Sequence, residues 1–262
     1  MSATTAATTT PTPAVVIPQW SKARTVTVWA VATVPMALAS WVVAPLLALA
    51  FGGGPTALGR ALILALVAGL AWIAVLSGWL VWREQRTLRW SVLREALWLR
   101  APVSPRTGRR GCRVWWVVLP LSLLFAAEQL VPGLPTPASR DLGLFLGSDA
   151  GRTMLNGAWG WFALIAVMAV LNTVVGEELF FRGVLLPRMQ GAFGRGDWVA
   201  NGVLFALYHV HVPWMIPSVL MDTFVLAYPA RRYRSSLLSI VVHSTQSVVI
   251  LLLALGLVLG LG

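Results

Sequence analysis

Two adjacent carboxylates, Glu177-Glu178, stand inside an apolar run, and two histidines follow in later apolar runs. His209 closes Phe205-Ala206-Leu207-Tyr208-His209, and His243 opens His243-Ser244-Thr245-Gln246-Ser247. A carboxylate at the centre of a bilayer costs ~2.5–3.5 kcal/mol on insertion scales, so such a pair calls for a function. A glutamate beside a histidine can deprotonate a water as a general base. Two Glu and two His also suit a divalent ion, with Glu177, His209 and His243 as the ligands. The chain has no HExxH spacing, however, and a Glu-His water site needs no zinc. The expectation is a site that requires no cofactor, with a divalent metal such as zinc as the alternative.

Helix geometry divides the acidic pair. Adjacent residues point ~100° apart, so one Glu faces the histidines squarely, whereas Glu178 and Arg182 share a face four residues apart in the favourable order. Glu178 is therefore expected to be the structural partner of Arg182, and Glu177 the free carboxylate. Asp222 either lines the site or pairs with Arg182. Glu128 falls near the outer end of its span and is expected at the interface. His211, two residues past His209, falls on nearly the opposite helix face.

The elements that carry these groups can be read from composition. Of 262 residues 58% are hydrophobic and only 11% charged, and the mean hydropathy is +0.77. Runs of the ~20 apolar residues that cross a bilayer core recur along the chain. The fold class is all-α, a polytopic transmembrane helix bundle of about seven spans. They cover 25–51, 57–82, 114–130, 159–188, a fifth element ending near His211, a sixth ending near Pro229, and 236–261. Gly52-Gly53-Gly54-Pro55 turns the first span into the second, and Pro213 and Pro217 disturb the backbone after the fifth. In domain terms, 1–24 reads as a disordered cytoplasmic tail without the layout of a signal peptide, and 25–82 as a hairpin. Residues 83–113 read as a basic loop or interfacial helix, and 114–262 as the segment holding the site.

A formal net charge of +11 raises the question of nucleic acid, but the arginines sit in short clusters beside apolar runs, at 22–24, 83–113, 182–195 and 231–234. With seven spans every cluster falls on one side, as cytoplasmic loops require. The expected location is the cell membrane, multi-pass, with the N-terminus cytoplasmic; the partners are lipid and a membrane-bound or lipidated substrate, and nucleic acid is excluded. The single cysteine, Cys112, permits no intramolecular disulfide and reads as a reduced cytoplasmic thiol, and the fourteen tryptophans suit the headgroup belts. Counted from the arginines that mark the cytoplasmic side, Glu177 lies eleven residues before Arg188, His209 fourteen after Arg195 and His243 nine after Arg234. At 1.5 Å per residue all three share a layer about 14 to 21 Å deep, so they are expected to converge.

Glu177-Glu178-Leu179-Phe180-Phe181-Arg182 has the form EExxxR, 205–209 the form FxxxH, and 243–247 resembles a third motif, HxxxN. In order and spacing, 114–255 resembles the CPBP family of intramembrane CAAX-type proteases, which includes the Ras-converting CAAX endoprotease and bacterial proteins linked to bacteriocin immunity. The resemblance implies an endopeptidase in which Glu177 activates water with help from His209. In it, His243 and the residue four positions on stabilise the oxyanion. Ser247 stands where the family has Asn, and Gln246, near the same face, is a candidate to supply the missing amide. Phe205, Gln246 and Asp222 are candidate substrate contacts. Two other classes stay open. A non-catalytic immunity or scaffold protein would keep the fold and tolerate Ser247; a proton-coupled transporter would also keep Glu and His at mid-membrane, but with broken helices in both halves.

Overall fold

The computed structural model describes residues 15–131, 134–137 and 140–261, the side chains of Cys112 and Gln129 excepted. The expectations for residues 1–14 and for the Cys112 thiol lie outside the described residues. The fold is all-helical. Among the described residues four helices are long and apolar enough to cross a membrane: α1 (Lys22–Ala50), α2 (Gly54–Gln85), α5 (Trp159–Arg188) and α7 (Ser236–Val258). Between them lie α3 (Trp90–Ala96), the short apolar α4 (Arg113–Ala127) and α6 (Asp197–Tyr208).

Of the about seven expected spans, four appear as long helices among the described residues, and the others are shorter for a local reason. The twelve residues of α6 rise only about 18 Å, short of a ~30 Å bilayer core. It ends in a 3-10 turn at His209–His211, and Pro213 and Pro217 then divide the next stretch into the short pieces Pro213–Met215 and Ile216–Val219. The expected third span is α4, whose first turns, Cys112–Val117, are 3-10. The turn between α1 and α2 forms as expected, because Gly52, Gly53 and Gly54 all take positive φ (91°, 75° and 85°), which side chains with a Cβ resist.

The arginine clusters gather at one end of the bundle. Glu84 at the end of α2 accepts from Trp20 Nε1 (2.8 Å), Arg24 Nη2 (3.0 Å) and Arg188 Nε (2.8 Å), which joins the start of α1 to the ends of α2 and α5. Arg231 bonds Asp197 at the head of α6, and Ser236 at the start of α7 donates to the Leu97 carbonyl. The 83–113 segment therefore packs against the bundle, with α3 as a short helix in it. Residues 15–20 also depart from the disordered tail expected up to residue 24: Gln19 donates to the Pro187 carbonyl and its own oxygen accepts from Gly191, and Trp20 is buried.

Arg188 is fully buried and Glu84 is its acidic partner. Truncating one member of such a pair leaves a buried charge without compensation, at about 3–5 kcal/mol. Glu84→Ala is expected to lose that much stability in detergent, and a thermal unfolding midpoint equal to wild type would show that the junction carries no weight.

Candidate active site

The site forms where α5, α6 and α7 meet. Glu177 and Glu178 sit between two π-helical stretches of α5, Leu171–Gly176 and Leu179–Leu185. A π turn closes i→i+5 bonds and holds an extra residue, so each stretch rotates the residues beyond it relative to an α-helix. Both glutamates are buried.

Glu178 pairs with Arg182 at 3.0 Å, each side chain wholly inside, as the i,i+4 spacing leads one to expect. The same Glu178 oxygen lies 3.0 Å from His243 Nδ1. The carboxylate bonded to His243 is therefore Glu178, and the assignment of the histidine-facing role to Glu177 alone needs correction. A regular 100° spacing misplaces the pair because π turns flank it. The Arg182 guanidinium also stacks 4.0 Å over the Phe205 ring, a cation–π contact in a dry setting.

Phe205 is the wedge of the site. Its ring centroid is 4.9 Å from His209 and 6.4 Å from His243, both edge-on, and the residue is 1% exposed. The two histidines thus approach one another around a single ring, the convergence that the shared depth implies. His209 Nδ1 bonds the Phe205 carbonyl at 2.9 Å and His243 Nδ1 bonds Glu178, which leaves Nε2 of each ring for other partners.

Glu177 is held from its own helix. With its amide turned to donate, Asn172 lies 2.9 Å from Glu177 Oε1 and 3.3 Å from Oε2. The buried Tyr208 hydroxyl adjoins Glu177 without a hydrogen bond of good geometry, an unspent donor beside the carboxylate. Sequence reasoning missed both residues. Asn172 precedes the acidic motif by five positions, a separation that an α-helix places on another face but a π turn closes. Tyr208 reads in sequence as one more aromatic in an apolar helix.

His211 is a second correction. The 3-10 turn at His209–His211 swings it onto the side of His209, where the two rings stack with centroids 5.4 Å apart. The turn is held by α1: Ser40 Oγ donates to the His211 carbonyl at 3.1 Å and Trp41 Nε1 to the Val210 carbonyl at 2.9 Å. Those two residues occupy the π turn of α1, Ala39–Val43.

The remaining candidates take other places around this centre. Ser247 is buried one turn beyond His243 on α7, whereas Gln246 is only half-buried and makes no side-chain hydrogen bond among the described residues. Asp222 is buried and forms no ion pair with Arg182 among the described residues; its Oδ1 has no partner. Glu128, expected at the interface, is 3% exposed, and its carboxylate neighbours Asp222 and Ser218. It is buried because α4 packs against α7 and the Thr223–Ala227 turn rather than running to an outer surface.

A metal needs its donors gathered. Among the described residues no three His, Cys, Asp or Glu side chains come together as a ligand set, and both Glu177 oxygens face the Asn172 amide. Glu177, His209 and His243 as they stand do not form a ligand set for an ion.

The fold and site define a helical membrane protein with a buried glutamate-histidine centre. Residues 159–249 match the family model for Rce1-like, type II CAAX prenyl endopeptidases. The match covers about a third of the chain and contains every residue of the three motifs. It makes this segment CAAX-protease-like, as the motifs indicate, within narrower limits than 114–255. No curated protein and no solved structure matches the chain.

Proposed function

We propose that the protein is an intramembrane endopeptidase that hydrolyses a peptide bond of a membrane-associated or lipid-anchored substrate by glutamate-activated water. The observation that carries the reading is the site itself: two buried histidines with free Nε2 atoms on either side of Phe205, and a buried carboxylate held by Asn172 whose neighbour Tyr208 packs on the His209 ring. In this reading Glu177 takes a proton from the attacking water while His209 helps to orient it. His243, set by Glu178, donates to the developing oxyanion, and Ser247 stands one turn away as a second donor. Arg182 fixes Glu178 and so acts through His243. The chain is multi-pass in the cell membrane, with the arginine-rich end and the N-terminus in the cytoplasm. No cofactor is required.

The substrate class is tested with quenched fluorescent peptides, prenylated and unprenylated, offered to the protein in lipid nanodiscs before and after chelation. Cleavage that survives chelation is expected. Loss on chelation with recovery on adding zinc would contradict the metal-free mechanism, and inertness toward every peptide would favour a scaffold or immunity role. Asn172→Ala removes a hydrogen bond to a charged group, typically worth about 1.5–3 kcal/mol. A fall in kcat of roughly ten- to a hundredfold with little change in Tm is expected; an unchanged kcat would remove Asn172 from the site.

A further inference from the structure

At the arginine-rich end, away from the glutamate-histidine centre, lies an open cavity of about 690 Å³. Arg94, Arg100, Arg231 and Arg234 line it, and Glu95 is its one acidic residue. Burial pushes the Glu95 carboxyl up, but the Arg100 and Arg110 guanidiniums outweigh it and hold the group below the usual carboxylate range. Arg100 is thus committed to Glu95, and Arg231 to Asp197. Arg94 and Arg234 form no ion pair among the described residues, and both are exposed. Two free guanidiniums over a cavity call for an anion, and Arg suits phosphate oxygens bidentately.

Position decides which anion. The cavity lies among the segment before α1, α3, the end of α5 and the segment before α7, at the arginine-rich ends of the apolar helices. Its remaining wall includes Val15, Ile17 and Trp98, apolar groups suited to a boundary layer. On the other flank of α3 is an apolar groove of about 420 Å³ lined by Trp79, Trp82 and Leu88, the last 75% exposed. One short helix therefore separates a charged cavity from an oily groove, the arrangement found at a headgroup layer. Pro187 and Gln190 bring the end of α5 to the same cavity, ten and thirteen residues past Glu177.

We infer that this cavity binds the phosphate of an anionic phospholipid headgroup and, when filled, ties the end of α5 to the segment that leads into α7.

The test is thermal unfolding of the purified full chain in neutral detergent, titrated with phosphatidylglycerol, with phosphatidylcholine and with soluble pyrophosphate. Phosphatidylglycerol is expected to raise the midpoint saturably and phosphatidylcholine to leave it unchanged. The double variant R94Q/R234Q is expected to need roughly thirty-fold more phosphatidylglycerol, while R106Q/R109Q, which removes equal charge at exposed positions outside the cavity, titrates like wild type. R94K/R234K keeps the charge and is expected to fall between wild type and R94Q/R234Q, which shows that any loss comes from the site and not from unfolding. Equal weakening in the two glutamine variants would reduce the effect to diffuse surface charge and overturn the site. A response to pyrophosphate alone would overturn the lipid. None of these variants touches Glu177, His209 or His243, so the outcome stands apart from the proteolytic reading.

Discussion

Glu177→Gln is expected to lower the rate of peptide cleavage by about 10²–10⁴-fold while the protein remains folded, because a general base contributes that much to a water-activating site and the amide keeps the shape of the carboxylate. The amide can still bond Asn172, so the local packing of α5 is preserved. The loss should appear in kcat, since Glu177 acts on water and not on substrate binding. An unchanged rate with an unchanged Tm would move the base elsewhere, and the buried Asp222 would then be the next carboxylate to test.

The second large effect concerns Glu178. Glu178→Ala leaves Arg182, wholly inside the protein, with the Phe205 ring but no anion, and strips His243 of its Nδ1 partner. A loss of about 3–5 kcal/mol is expected, read as a drop in the thermal midpoint. Replacing both charges, as E178L/R182M, is expected to restore most of the stability, because an apolar pair of similar volume replaces a buried ion pair at little cost. Activity is not expected to return, since His243 still lacks its orienting partner. Recovery of both would reduce Glu178 to packing and remove His243 from the mechanism.

The residues of the site were legible because they break a pattern: Glu and His in apolar runs are costly, and similar counts from the arginine markers placed three of them in one layer. The Glu178–Arg182 pair was legible because it is local, four residues along one helix. What escaped depends on backbone that single-sequence patterns do not encode. The π turns around Glu177-Glu178 set which carboxylate meets His243 and bring Asn172 onto Glu177. The 3-10 turn places His211 beside His209 instead of across the helix from it. Contacts from distant sequence were equally hidden. Trp41 and Ser40, in a hairpin that carries no motif, hold the turn on which His209 sits, and Trp29 donates to the Leu204 carbonyl of α6. Glu84 belongs to no motif, yet three partners converge on it. Of about seven expected spans, four appear as long helices among the described residues: apolar composition marks α4 and α6 as well, but hydropathy does not register where a helix stops.

The most direct test of the central claim is single-turnover cleavage of one identified peptide by wild type and by Glu177→Gln, side by side in the same nanodiscs with chelator present. Cleavage by wild type at a rate at least about a hundredfold above the variant, with equal thermal midpoints, is the predicted result. Equal rates in the two proteins would contradict a glutamate-activated water at this site.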